Sequence, residues 1–164
     1  CLYLGASSGG TVSHIHDFVC GAENHHRGQV VAVEISPRMS RDLISVSESR
    51  PGIIPVLGDA RKTRVFSPFI RSKADWIHQD LSIADQAESF VKIAMNFLIP
   101  GGVGLLSLKA ASERSSDGDD NARFQKAEIT LNNSELSLLE RIDLKGLEEQ
   151  HVLFVCGLSL CGDN

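Results

Sequence analysis

The chain has 164 residues, of which 42% are hydrophobic and 23% charged, enough for one domain with a sizeable core and too apolar for extensive disorder. Its 16 basic and 21 acidic residues give a formal net charge of -5, which excludes a protein that coats nucleic acid by electrostatics alone. The longest apolar stretches, Ile93 to Ile99 and Val103 to Leu108, fall far short of a membrane span, so a soluble protein is expected.

Apolar, β-branched runs alternate with segments of helical period, the pattern of a parallel sheet covered on both faces. A strand over 1–5 runs into the small residues Gly5-Ala6-Ser7-Ser8-Gly9-Gly10, and a helix follows over 11–20 with Thr11 as its candidate cap. Small residues let a backbone approach a ligand closely. The unbonded N–H groups of a helix start then favour a polar or anionic group. A second strand, 29–35, delivers Glu34 to its carboxyl end, where a carboxylate suits two ribose hydroxyls. Ser36-Pro37 marks the start of a helix over 38–49.

The third strand, 53–57, ends at Gly58-Asp59-Ala60-Arg61. Asp59 reads in two ways: as the acceptor for an exocyclic amine, with Ala60 leaving room for a flat ring, or as an Asx turn that ends the strand. After the fourth strand, 74–79, comes Asp80-Leu81-Ser82-Ile83, with Asp80 where cofactor and substrate would meet. A helix over 84–98 is expected to stop before a turn at Pro100-Gly101-Gly102, and a fifth strand, 102–109, ends on Lys109. Residues 112–122 are polar and predict a mobile surface segment before a helix at 122–133. Strands at 136–143 and 150–157 are separated only by Lys145-Gly146-Leu147 and a few acidic residues, too little for a crossover helix, so they predict an antiparallel hairpin.

The four cysteines, Cys1, Cys20, Cys156 and Cys161, form no Cys-x-x-Cys pair, and free thiols are expected. His14/His16 and His25/His26 have spacings that do not share a helix face, so surface or turn histidines are expected and no metal site. Basic residues cluster at Arg38 and Arg41, at Arg61, Lys62 and Arg64, and at Arg71 and Lys73; each cluster reads as a solvated face or as a local RNA contact.

A mostly parallel seven-stranded sheet that ends in an antiparallel hairpin resembles the methyltransferase variant of the doubly wound fold. A dinucleotide oxidoreductase would carry another βαβ unit there. The motifs resemble one family: fibrillarin and its archaeal fibrillarin-like relatives, S-adenosylmethionine-dependent RNA 2′-O-methyltransferases. The family's Leu-Tyr-Leu-Gly-Ala-Ser-Ser-Gly-Thr-Thr-Val-Ser-His stands here as residues 2 to 14, with Gly10 for the first Thr. Glu-Phe-Ser-Pro-Arg stands as Glu34-Ile35-Ser36-Pro37-Arg38, Asp59-Ala60-Arg61 follows in register, and Asp-Val-Ala-Gln reads Asp80-Leu81-Ser82-Ile83. Gln86 matches a later family position.

The resemblance implies a Rossmann-like S-adenosylmethionine-dependent methyltransferase fold, α/β, with helices on both faces. A single methyltransferase domain is expected over 1–164, with the N-terminal part of the family's chain missing. For the cofactor, S-adenosyl-L-methionine, it implies contacts from Gly5, Ala6, Gly10 and Thr11 at the methionine end, Glu34 at the ribose, Ile35 on one adenine face, Asp59 and Ala60 at the adenine edge, and Asp80, Leu81, Ser82 and Ile83. Of the family's Lys-Asp-Lys-His catalytic set, Asp80, Lys109 and His151 align, and the first Lys falls upstream of Cys1. A ribose hydroxyl is a poor nucleophile, so Lys109 is read as base or hydroxyl orienter, Asp80 as its electrostatic partner and His151 as a substrate-positioning group. Implied partners are box C/D guide RNA, target rRNA or tRNA, a Nop-type scaffold protein and a kink-turn-binding ribosomal-type protein. The implied location is cytoplasmic in an archaeon, nucleolar in a eukaryote. The alternatives are a non-catalytic scaffold subunit of the same ribonucleoprotein and an NAD-dependent oxidoreductase.

Overall fold

The computed structural model describes residues 1–21, 28–112, 119–144, 146 and 150–159. The chain divides into two compact units, Cys1–Ser72 and Lys73–Asn164.

In the first unit, β1 (Leu2–Leu4), β2 (Val30–Glu34) and β3 (Ile53–Leu57) are parallel in the order β3-β2-β1, with α1 (Gly10–Cys20) and α2 (Pro37–Ser49) as the intervening helices. Every residue of β1 and β2 is buried, as expected of parallel strands covered on both faces. The register pairs Leu4 with Val33 and Glu34 with Leu57, so the three carboxyl ends lie along one edge. α1 turns Val12, Ile15, His16 and Cys20 inward, a stripe at helical spacing. α2 is capped by Ser36, whose Oγ accepts from the Met39 N–H, and Pro37 stands at its first position, as the sequence predicts. Thr11 does not cap α1. The cap is Gly9 at φ 93, with no side-chain bond, because the chain enters the helix through a left-handed turn. A Cβ at Gly9 would come within 3.1 Å of Leu43, so the turn packs onto α2.

In the second unit, β4 (Ala74–Gln79), β5 (Leu98–Lys109), β6 (Leu136–Asp143) and β7 (His151–Leu158) run in the order β4-β5-β7-β6. β4 and β5 are parallel, whereas β7 is antiparallel to both β5 and β6. The expected hairpin is therefore present. α3 (Gln86–Phe97) and α4 (Asp120–Asn132) bury Phe90, Ile93, Phe124 and Leu131, and Leu98, Leu106, Leu108 and Phe154 of the strands are buried too. Asp119 caps α4 by accepting from the Ala122 N–H at 2.9 Å.

Two further expectations need correcting. Pro100-Gly101-Gly102 does not precede β5 but lies inside it: Leu98 pairs with Ala74 and Val103 with Trp76, so residues 99–102 bulge out opposite Asp75. His16 is not a surface residue. It is 1% exposed, and its Nε2 lies 2.8 Å from the Pro51 carbonyl, a backbone partner that a spacing rule does not reveal. His14 is exposed. Cys20 and Cys156 are buried free thiols, and burial pushes the Cys156 thiol up to about 12. His25, His26, Cys161, most of the polar segment (113–118) and residues 145 and 147–149 of the hairpin connection lie outside the described residues. No described helix is long and apolar enough to cross a membrane.

Candidate active site

The first unit gathers its candidate residues on the loops that leave the carboxyl edge of β1, β2 and β3. The N–H groups of Gly5 and Ala6 both donate to the Val33 carbonyl, at 2.9 and 3.0 Å, which pins the small-residue turn to β2. Ser7, at φ 49, donates its N–H to Glu34 Oε2 at 2.7 Å, and the Ser36 N–H donates to Oε1 at 2.7 Å. Glu34 is only 8% exposed, and these two charge-assisted bonds compensate the burial of its carboxylate. A carboxylate offers about four acceptor sites, so Glu34 retains capacity for a pair of hydroxyls.

Helix α1 begins immediately after this turn. The Ser13 N–H is bonded to the Gly9 carbonyl, so the N–H groups of Gly10, Thr11 and Val12 have no intrahelical acceptor to reach. Gly10 and Thr11 are exposed, and a Cβ built on Gly10 would meet nothing within 4 Å. Ile35 is 62% exposed beside the Glu34 carboxylate, an apolar surface where a flat ring would find a wall.

The third loop is joined to Glu34 by the Gly58 N–H, which donates to the Glu34 carbonyl at 2.8 Å. A Cβ at Gly58 would run into the Val65 side chain, so any larger residue there would force Val65 to shift. Of the two readings of Asp59, the Asx turn is present: the Arg61 N–H donates to Oδ1 at 3.0 Å. The Arg61 guanidinium adds bonds from Nε to Oδ1 at 3.0 Å and from Nη2 to Oδ2 at 2.8 Å, and it holds the Asp59 carboxyl below its ordinary range. Asp59 is thus occupied by its own loop. Ala60 beside it is buried.

In the second unit, Asp80 opens the loop that carries Leu81, Ser82 and Ile83 from β4 to α3. Lys109 Nζ, on the last residue of β5, lies 3.1 Å from Asp80 Oδ1, with about 30% of each side chain exposed (31% and 30%). His151, the first residue of β7, stands directly opposite Lys109. The next residue, Ala110, donates its N–H to the Gln150 carbonyl. Lys109 and His151 therefore form a non-hydrogen-bonded pair, the closer of the two antiparallel spacings, with both side chains on one face. His78 on β4 is mostly buried, and that burial pushes its imidazole down to about 4 against the pull of Asp80.

Sequence reasoning missed what holds Lys109. The Lys109 N–H donates to Gln86 Oε1 at 3.3 Å, and Gln86 Nε2 donates to the Lys109 carbonyl at 3.1 Å. Gln79 Nε2 in turn donates to the Gln86 carbonyl at 2.9 Å, and both glutamines are fully buried. The available signal was the position of Gln86 itself, a polar residue on the buried stripe of an amphipathic helix.

The model of the Fibrillarin family matches residues 1–159. The chain belongs to the fibrillarin family. Over 154 residues it is 35% identical to the fibrillarin-like rRNA/tRNA 2′-O-methyltransferase of Methanocaldococcus jannaschii, an alignment that covers 94% of this chain and 64% of that protein. The chain thus spans about two thirds of the length of the curated relatives it matches, 62% to 65%. Among solved structures, it is similar to Aeropyrum pernix fibrillarin in complex with natively bound S-adenosyl-L-methionine. That match has TM-score 0.78 and 29% identity and covers 94% of this chain and 64% of the other. The fibrillarin of a fibrillarin/Nop5p complex matches with TM-score 0.85 and 30% identity, over 96% of this chain and 71% of that one. The fold class read from the sequence is borne out: three parallel strands with intervening helices in the first unit, and in the second a mixed set of four strands ending in the antiparallel strands of a methyltransferase fold.

Proposed function

We propose that this chain is the methyltransferase domain of an S-adenosylmethionine-dependent RNA ribose 2′-O-methyltransferase that acts on rRNA, and on tRNA, within a box C/D guide ribonucleoprotein. The observation that carries the reading is the 3.1 Å pair of Lys109 and Asp80 with His151 opposite, since these are the three residues that the resemblance aligns with the family's four-member catalytic set. When bound, S-adenosylmethionine supplies a methyl group on a positively charged sulfonium, which a ribose hydroxyl oxygen can attack.

The residues of the first unit fit such a cofactor. Glu34 accepts from the ribose hydroxyls with the lone pairs that Ser7 and Ser36 leave open. The open helix start at Gly10 and Thr11 receives the methionine carboxylate, and Ile35 walls one face of the adenine. Asp59 receives the adenine amine as the exposed Arg61 guanidinium gives way. In the second unit Lys109 orients the 2′-hydroxyl and takes its proton, Asp80 holds the amine in place, and His151 positions the RNA sugar.

The net charge of -5 is compatible with partners that provide most phosphate contacts: guide RNA, a Nop-type scaffold and a kink-turn-binding protein. The archaeal origin of the relatives supports a cytoplasmic location. Calorimetric titration of the full-length protein with S-adenosylmethionine and with NAD tests the cofactor assignment. Binding of the first alone is expected. Tight NAD binding without S-adenosylmethionine binding would overturn the reading in favour of an oxidoreductase.

A further inference from the structure

The end of β5 poses a problem that ordinary strand pairing does not solve. β4 pairs with β5 only as far as Gln79 opposite Leu106, after which the chain leaves the sheet at Asp80. Lys109 lies three residues further along β5, on the last residue of the strand. Because the Ala110 N–H takes the bond toward β7, the N–H and C=O of Lys109 point to the opposite edge, where β4 has already ended. A half-buried peptide edge with no strand beside it must find partners elsewhere.

Gln86 provides them. Its carboxamide accepts from the Lys109 N–H at 3.3 Å and donates to the Lys109 carbonyl at 3.1 Å, so one side chain imitates the peptide unit of the missing strand. The mimic is itself fixed. Gln86 is the first residue of α3, its carbonyl accepts from Gln79 Nε2, and neither glutamine is exposed. Gln79 Oε1 finds no donor among the described residues. An apolar side chain in these two places would fill the space without burying polar atoms, so packing alone does not account for them.

We propose that Gln86, braced by Gln79, is a positioning residue for methyl transfer: by gripping the backbone of Lys109 at both polar groups it fixes where the Lys109 amine stands beside Asp80 and opposite His151. This inference rests on the reading of Lys109 as the group that handles the ribose hydroxyl. Removing the grip lets the last residue of β5 relax, and a displacement of about 1 Å at a reacting group can cost up to about a hundred-fold in rate. Substrate and cofactor binding, which depend on other residues, should be spared.

The test uses the full-length protein assembled with guide RNA and its protein partners. Single-turnover methyl transfer is measured at varied RNA concentration for the wild type, Gln86→Leu, Gln86→Glu, Lys109→Ala and Leu131→Ala. The last variant opens a cavity in the core of the same unit at a residue that makes none of the bonds to Lys109. Gln86→Leu is expected to lower the maximal rate at least ten-fold, with the RNA half-saturation and the S-adenosylmethionine affinity within two-fold of wild type. Gln86→Glu, which keeps an acceptor for the Lys109 N–H, should fall between the two and supplies the result if Gln86→Leu does not fold. The 15N–1H resonance of the Lys109 amide should move in both Gln86 variants and stay in Leu131→Ala. If Lys109→Ala is inactive while both Gln86 variants turn over as wild type, the positioning role is refuted and the role of Lys109 stands. If Gln86→Leu loses no more rate than Leu131→Ala at equal loss of melting temperature, Gln86 is only structural. If Lys109→Ala itself turns over normally, it is the reading beneath the inference that fails.

Discussion

In the first unit Glu34 is held by main-chain N–H groups from its own strand end and from the small-residue turn, whereas in the second Lys109 is held by a side chain from a helix 23 residues away in sequence. The contrast separates two kinds of candidate site residue. A carboxylate that backbone amides can grip needs only a strand end and a turn of the right geometry, both written in contiguous motifs. A Lys at a strand terminus needs partners from elements that meet only once the unit has folded. The first arrangement tolerates change in neighbouring side chains, and the second depends on them.

The largest effect that sharpens this comparison is expected from Lys109→Ala. It should lower single-turnover methyl transfer roughly 10²- to 10⁴-fold while the S-adenosylmethionine affinity measured by calorimetry stays within about two-fold. Glu34→Ala should do the reverse in its own unit. It strands the Ser7 and Ser36 N–H groups and removes the proposed ribose acceptor, so cofactor affinity should fall about ten-fold or more and stability by roughly 2 kcal/mol or more in denaturant titration. A Glu34→Ala protein that bound the cofactor normally would break the comparison on the first side.

A pH effect belongs to the second unit. His78 is held neutral by burial, down to about 4 in the folded chain against about 6.5 when unfolded. The unfolded state therefore binds more protons between these values, and stability is full above pH 6.5 and falls as pH drops toward 4, by on the order of 3 kcal/mol in total. Denaturant midpoints over this range should show the loss, and His78→Leu should flatten it.

Smaller effects are expected at two positions of the first unit. Arg61→Ala frees Asp59 and should leave cofactor affinity unchanged or up to several-fold higher; a clear weakening would mean that Asp59 does not serve the adenine. Gly10→Thr places a side chain in open space at a helix start and should raise stability by only a few tenths of a kcal/mol.

Sequence patterning made the fold legible almost throughout. All seven strands and four helices lie within about four residues of their expected bounds, because buried parallel strands read as continuous β-branched runs and helices as amphipathic stripes. Pro100-Gly101-Gly102 misled because the same residues that make a turn also make a bulge inside a strand, and only the register with β4 distinguishes them. Thr11 misled because a left-handed Gly can cap a helix without any side chain. At the site, motif residues such as Glu34 were legible through their spacing from the glycine turn. Asp59 could not be resolved between its two readings, since the Arg61 fork depends on side-chain conformation. The contacts of Gln86 and Gln79 were invisible because they join β4, α3 and the end of β5, which no local pattern connects.

The most direct measurement is position-resolved mapping of methyl groups on a guide-directed RNA, incubated with labelled S-adenosylmethionine and the full-length protein in its assembled ribonucleoprotein. One methyl group on the 2′-oxygen of the guided nucleotide, lost in Lys109→Ala, is the expected result. A complex that binds the cofactor and the RNA yet leaves that nucleotide unmodified would contradict the enzyme reading and make this chain a scaffold subunit.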